Sequence, residues 1–417
     1  MSIPKGPGFR WETYYGLWMI LFLGWMSLYM VRMIFTPALP FIIEEYRISY
    51  TQAGTLATAV FWAYAGMQFP AGYLGDRIGR KPMLCLGMLS WSLFCFFTSM
   101  AYSIGILFLL RFLTGLAEGS YFGNDRAILT AYTPKERWGM AQGFSMTGAG
   151  LGNFLGIFLG GLVAGLFGWR YIFIFVGLGS LAVALLFFKF IPKTRRDIIQ
   201  QEKPTLPSLR SILTRKDLWI MYYIGFATME IFWLFGIWAP TIILDMGVKS
   251  KMASSFYASL FALCGIPSML ISGLASDFIL KKWRIQRKFG LAFCLFVMVI
   301  LLLFSGFYVE HRLNFLVLAI LIGVSGFLVS SLFPPLYAMI AEASSPGILG
   351  ATFGFFNFIS FLGAILAPIT AGTIKDLTNS FAWSFYLGAL IMGLAGFLAI
   401  CVLSPEQPNK AESSCTA

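Results

Sequence analysis

Runs of about twenty or more apolar residues alternate with short polar breaks along the chain, and a run of that length matches the hydrocarbon thickness of a bilayer. The pattern predicts spanning helices near 14–40, 52–74, 83–102, 104–131, 138–165, 169–190, 218–244, 252–279, 288–308, 314–341, 348–374 and 381–403. The first run is too long for a signal-peptide core and lacks a small-residue cleavage site, so it is expected to remain as span 1. The longest polar stretch, 191–216, divides the twelve spans evenly. This predicts an all-α polytopic membrane protein of two pseudo-symmetric six-helix bundles. The expected division is 1–190 for the first bundle, 191–216 for a cytoplasmic linker, 217–404 for the second bundle and 405–417 for a cytoplasmic tail.

Composition strengthens this picture. Hydrophobic residues make up 58% of the chain and charged residues 12%, with a mean hydropathy of +0.79. A water-soluble exterior could not be built from so few charges. The net charge of +12 could suggest nucleic acid, but its placement argues for a membrane instead. Arg47, Arg170, Lys249, Lys251, Arg312 and Lys375 fall in one set of loops, while most other Lys and Arg lie in the opposite set, the linker and the termini. That asymmetry predicts cytoplasmic termini. The six cysteines show no metal spacing and are expected to be small buried apolar residues. The outer loops lack an Asn-x-Ser/Thr acceptor, which favours a prokaryotic plasma membrane.

The two halves echo each other in order. Gly72-Tyr-Leu-Gly-Asp76-Arg77-Ile-Gly79-Arg80-Lys81 separates spans 2 and 3, and Gly273-Leu-Ala-Ser-Asp277 stands before spans 8 and 9 separate. Gly139-Met-Ala-Gln-Gly143-Phe opens span 5 and Gly350-Ala-Thr-Phe-Gly354-Phe opens span 11. Trp169 opens span 6 and Trp383 opens span 12. The Gly72–Lys81 segment resembles the G-x-x-x-D-R-x-G-R-K signature loop of the major facilitator superfamily, and the resemblance extends over nearly the whole chain. It implies two bundles rocking around a midplane site, with Asp76 and the loop bases making ion pairs that differ between access states.

Charges at membrane depth are costly and therefore informative. They are Arg32 in span 1, Arg111, Glu118, Asp125 and Arg126 in span 4, and Glu230 in span 7. Arg111, Glu118 and Asp125 are spaced by seven, nearly two helical turns, and are expected on one inward face. Glu118 is the candidate proton carrier, with a fixed bridge to Arg111 as the alternative. Arg32 is the candidate anchor for an anionic substrate, since a guanidinium grips carboxylate or phosphate in a bidentate fork. Its alternative is a structural pair with Glu230 or Glu118. Arg126 suits an anion contact or a gate beside Asp125, and Glu230 suits a gate, a proton site or a partner of Arg32. Glu342 is expected to pair with a loop base, and His311 has no assigned role. Tyr29 and Trp238 are candidate cavity residues. The glycines of span 5, Gly148 to Gly161, suit close helix packing and lack the Lys-Ser/Thr ending of a phosphate loop. With no Walker A, zinc or nucleophile-elbow pattern, an enzyme is not expected, nor is a cofactor or metal.

Within the superfamily, the chain resembles the anion:cation symporters in three places: Tyr29 and Arg32 in span 1, Arg111, Gly115 and Glu118 in span 4, and Trp238-Ala-Pro240-Thr241 in span 7. The resemblance implies that Arg32 meets a substrate carboxylate and Glu118 carries a proton. Many members place an acid directly before the span 1 arginine; here it is Val31, which points to one proton per anion. The expected partners are therefore a small organic anion, protons and lipid, for a chain acting as a monomer. Organophosphate:phosphate antiporters share the span 1 arginine but add one in span 7, where this chain has Glu230. Drug exporters carry a proline in their span 5 glycine motif that is missing between Gly148 and Gly161. A sensor sharing the fold would bind without accumulating.

Overall fold

The computed structural model describes residues 11–134, 137–192, 213–344 and 349–401. The linker interior, 193–212, and the tail from 402 lie outside the described residues. Among the described residues there are fifteen helices of eleven residues or more. In chain order they are α1 (Trp11–Met33), α2 (Phe35–Tyr46), α3 (Tyr50–Ile78), α4 (Arg80–Thr98), α5 (Ile104–Gly119), α6 (Phe122–Tyr132), α7 (Trp138–Phe167) and α8 (Trp169–Phe190). Beyond the linker follow α9 (Lys216–Asp245), α10 (Lys251–Trp283), α11 (Arg287–Glu310), α12 (Phe315–Ser331), α13 (Phe333–Ala343), α14 (Leu349–Thr378) and α15 (Ala382–Cys401).

The fifteen helices make twelve spans because three spans are broken in two. Span 1 is α1 and α2, span 4 is α5 and α6, and span 10 is α12 and α13. Two of the breaks have a proline cause. Proline lacks an N–H and its ring crowds the carbonyl four residues earlier. Pro37 acts on Met33, the last residue of α1, and Pro334 and Pro335 act on Ser330 and Ser331 at the end of α12. At the span 4 break, the Ser120 hydroxyl donates back to Ala117 O at 2.7 Å and to Met83 O at 3.3 Å, competing with the helical ladder. Sequence periodicity reads through all three breaks, because the apolar run continues on both sides.

Eleven of the spans are long and apolar enough to cross a membrane on their own, among the described residues. The exception is α3, whose Thr, Gln and Gly content lowers its hydropathy. It is shielded by α5 of its own half and α14 of the other. The packing partners repeat between halves. α1 packs on α7 as α9 packs on α14, α4 on α8 as α11 on α15, and α3 on α5 as α10 on α12. Between the halves, α3 meets α14 and α7 meets α10, again a matched pair. This is the two-bundle architecture the repeats predict.

Close approach in the first half depends on the span 5 glycines. A Cβ on Gly148 would stand 2.3 Å from Phe22 O, and one on Gly152 would stand 2.3 Å from Met26 O. The α7 backbone therefore lies directly against α1, the helix that carries Arg32. Gly148→Val is expected to destabilise the protein by on the order of 1–3 kcal/mol, read as a lowered Tm in detergent. Gly179→Ala, where no atom lies within 4 Å, is expected to leave the Tm unchanged.

Candidate functional site

Arg32 lies in the last turn of α1 and Glu118 in the last turn of α5, each beside a helix break. Broken helices place free backbone groups and charged side chains inside a membrane protein, where neighbouring helices shield them. Arg32 Nε donates to Glu118 Oε2 at 2.5 Å, and the two side chains are 1% and 0% exposed. The guanidinium also lies 4.2 Å from the ring centre of Tyr64 and 5.3 Å from that of Tyr29, so aromatic faces flank the cation. Arg32 Nη2 and Glu118 Oε1 have no hydrogen-bond partner. The pair is thus half-satisfied: one edge of the guanidinium is engaged and one donor stands ready for another oxygen.

Arg111 does not supply the bridge to Glu118. Its guanidinium lies 4.4 Å from the ring centre of Phe35, and its buried Nε is unpartnered. Arg111, Glu118 and Asp125 are all buried, but the break at Ser120–Tyr121 interrupts the single face that their spacing predicts. Asp125 instead accepts from Trp25 Nε1 at 3.0 Å and from Arg126 Nε at 2.7 Å. Arg126 Nη2 donates to Ser145 Oγ of α7 at 2.7 Å. Arg126 therefore belongs to a network one step nearer the linker end, connected to the Arg32 pair through the Trp25–Tyr29 ring contact.

Two candidates fall away from Arg32. Glu230 on α9 is buried, with Oε2 unpartnered, and its carboxylate lies 3.8 Å from where a Cβ of Gly388 on α15 would stand. It does not pair with Arg32. Trp238 is fully buried, donates from Nε1 to Pro368 O at 3.1 Å, and packs on Tyr50 and Phe381. It belongs to a seal at the end of the bundle opposite the linker.

That seal joins the halves. Asp376 of α14 accepts from Tyr50 N at 2.9 Å, Thr51 N at 2.8 Å and Thr51 Oγ1 at 2.6 Å, so a carboxylate from one half sits on the N-terminus of α3 in the other. Lys251 pairs with Glu44 across the same boundary. A Cβ on Gly54 would stand 2.2 Å from Pro368 O, so α3 and α14 touch through their backbones. Below this, Phe61 meets Trp233 and Tyr64 meets Phe361, with ring centres 4.2 and 5.0 Å apart. The Arg32 pair lies beneath this aromatic floor.

The signature loop sits at the linker end. Gly79 has φ +106°, a conformation glycine adopts readily, and it turns α3 into α4. Arg80 Nη1 donates to Asn124 Oδ1 at 3.0 Å, and Lys81 Nζ to Ile191 O at 2.6 Å, both inside the first half. Arg77 is exposed in the last turn of α3, and the surroundings of Gly72 and the side chain of Asp76 lie outside what is described. In the second half Arg287 bridges Asp277 at 2.7 Å and Glu342 at 2.9 Å. Among the described residues, no group of three His, Cys, Asp or Glu could hold a metal. The residues that sequence reasoning missed, Tyr64, Asp376 and the amides Gln68 and Asn357, act across helices distant in sequence and carry no local signal. Asp376 alone is charged, but it lies at a helix end where a solvated acid is unremarkable.

The first half thus holds a buried cation–carboxylate pair, in a two-bundle helical membrane protein sealed at one end. The family model of the Major Facilitator Superfamily matches residues 21–309 and 278–414, and the chain belongs to that superfamily. It is 26% identical to the hexuronate transporter of Bacillus subtilis, over 94% of each chain. It is 24% identical to the D-galactonate transporter of Escherichia coli O6:H1, over 90% of this chain and 92% of that one. In fold it matches a bacterial homolog of the human lysosomal transporter Spinster, in an inward-facing, occupied conformation, with a TM-score of 0.80, 18% identity and coverage of 96% and 100%. These relatives agree with the resemblance to the anion:cation symporters. The chain is a multi-pass membrane transporter.

The seal gives a prediction. Asp376→Ala removes three hydrogen bonds that hold the halves together at that end. Spin labels on Arg47 and Lys249, exposed residues of opposite halves, are expected to report a distance distribution shifted to longer values by electron–electron resonance.

Proposed function

We propose that the chain is a proton-coupled symporter of a small organic carboxylate of the sugar-acid kind, working by alternating access. The observation that carries this reading is the half-satisfied Arg32–Glu118 pair. The names of the hexuronate and galactonate relatives support the substrate class. Arg32 is the anchor, with Tyr29 and Tyr64 flanking its guanidinium.

The two carboxylates, Glu118 and the substrate's, compete for one guanidinium. A buried carboxylate without its cation is expensive, and a proton on Glu118 removes that cost. With Glu118 neutral, Arg32 can turn its fork to the substrate carboxylate, so proton and anion enter together. Loss of the proton restores the Arg32–Glu118 pair and displaces the substrate. One carboxyl in the pair and one anion give a cycle of one proton per anion. The arginine and lysine bias of the loops supports a cytoplasmic linker end, with the Asp376 seal facing outward and bonds of the signature loop remaking as the halves rock. Phosphate antiport fits less well, because α9 carries no arginine and its only lysine is Lys216 at its first residue, so a dianion would meet no second cation there.

In liposomes loaded with a pH-sensitive dye, an external hexuronate or aldonate is expected to acidify the lumen. Glu118→Gln is expected to abolish accumulation driven by a proton gradient while retaining exchange of labelled for unlabelled substrate. Arg32→Lys, which loses the bidentate fork, is expected to weaken substrate binding at least tenfold. Uphill accumulation by Glu118→Gln would overturn the coupling role. Phosphate exchange without acidification by any carboxylate would move the reading to an antiporter.

A further inference from the structure

One turn along α3 from Tyr64 stands Gln68, and one turn along α14 from Phe361 stands Asn357. The upper rung of this ladder is aromatic, Tyr64 on Phe361 at 5.0 Å. Its lower rung, one turn nearer the linker end, is polar: Asn357 Nδ2 donates to Gln68 Oε1 at 3.1 Å, across the boundary between the halves. The bond uses the oxygen of Gln68 and leaves its amide Nε2 buried without a partner. A buried amide nitrogen with unmet donors costs stability and is uncommon in native proteins. Here it lies one turn from the ring that flanks the proposed anchor Arg32.

We propose that Gln68, held by Asn357, reads the hydroxyl groups of the substrate's carbon chain while Arg32 holds its carboxylate. This deepens the carboxylate reading and rests on it for the position of the anion. Gln68 follows by one helical turn, about 5.4 Å, the tyrosine whose ring touches Arg32, and the carbon chain of a sugar acid can span a separation of that order. Hydroxyl oxygens along that chain can accept from Nε2, whereas an alkyl chain of the same length leaves the donor unmet. Sites built to hydrogen-bond a substrate hydroxyl reject analogues lacking it for this reason. Because the two amides belong to opposite halves, a hydroxylated chain bridging them also ties both halves to the bound substrate.

The test is binding of a four-part panel to purified protein: hexuronates, unbranched monocarboxylates of equal chain length, neutral hexoses and sugar phosphates. Gln68→Leu removes the amide. Gln68→Glu keeps an acceptor for Asn357 and loses the donors. Gln68→Leu is expected to weaken hexuronate binding about tenfold and to leave alkyl monocarboxylate binding unchanged, with Tm close to that of the parent, and Gln68→Glu, whose carboxylate repels every anion, is expected to weaken hexuronates about tenfold more than alkyl monocarboxylates. Asn357→Leu, which frees the Gln68 side chain to turn, is expected to give a smaller loss in the same direction. Equal losses for hydroxylated and alkyl acids would show a merely structural pair and overturn the proposal, as would wild-type discrimination in Gln68→Glu. Failure of the carboxylate reading has a different signature: neutral hexoses or sugar phosphates would then bind as well as hexuronates, and Gln68→Leu would still be required to lower binding of those hydroxylated ligands. If it did not, the hydroxyl-reading role would fall with the carboxylate one.

Discussion

The Arg32–Glu118 pair is the constraint around which the rest of the first half is arranged. Neither charge could remain alone at so buried a position, and removing one member of such a pair costs about 3–5 kcal/mol. Holding them together requires α1 and α5 to end at matched depth, which the breaks at Ile34 and Ser120 provide. It also requires α5 to lie against α3. Gly115, one turn before Glu118, makes that contact: its missing Cβ would stand 2.1 Å from Val60 O. Tyr64, a turn further along α3, then reaches the guanidinium. The Pro37 break, the Ser120 break, the glycine contact and the aromatic rings are separate features of sequence with one geometric outcome.

A buried ion pair contributes little net stability compared with apolar residues of the same volume. The end opposite the linker supplies the contrast. Asp376, Glu44 and Lys251 sit at helix ends and in partly exposed positions, where ionic bonds can break and re-form at small cost. Tightness there comes from backbone contact, α3 on α14 at Gly54, and from the rings of Trp238, Tyr50 and Phe381. The molecule thus separates a costly central charge pair from a seal of partly exposed ionic contacts, close backbones and packed rings.

The fold was legible because lipid leaves few choices: every backbone group must be paired inside the span, so a long apolar run is a helix. Signature loop, repeats and charge positions were legible for the same reason, since departures from apolarity stand out. Partner choice was not. Arg32, Arg111, Glu118 and Glu230 are four charges that one dimension cannot pair, and the structure joins the first and third. The spacing that placed Arg111, Glu118 and Asp125 on one face assumed an unbroken helix, and Ser120 back-bonding ends it. Trp238 carried a plausible motif, yet its indole closes the seal against Pro368 because it stands near the far end of a long helix that begins beside the linker. Uncharged residues such as Tyr64 and Gln68, which meet their partners only across the fold, gave no signal at all.

The pseudo-symmetry explains why Glu230 does not join Arg32. In span 1, Ser27 faces span 6. Ser27 bonds Ser180 at 2.6 Å, and Ser180 also bonds Ser92 and the Trp91 indole, so this position knits spans 1, 3 and 6 together within one half. Glu230 occupies the equivalent seam of the other half, facing Gly388 of span 12, with Leu302 of span 9 also beside that glycine. Arg32, by contrast, lies on the side of span 1 that meets span 4. Two acids at similar depth therefore face different interiors, one a seam within a half and the other the space beside the boundary between halves. Among the described residues, only Glu118 of the two is paired with a buried cation, which is why the proposed coupling is assigned to it.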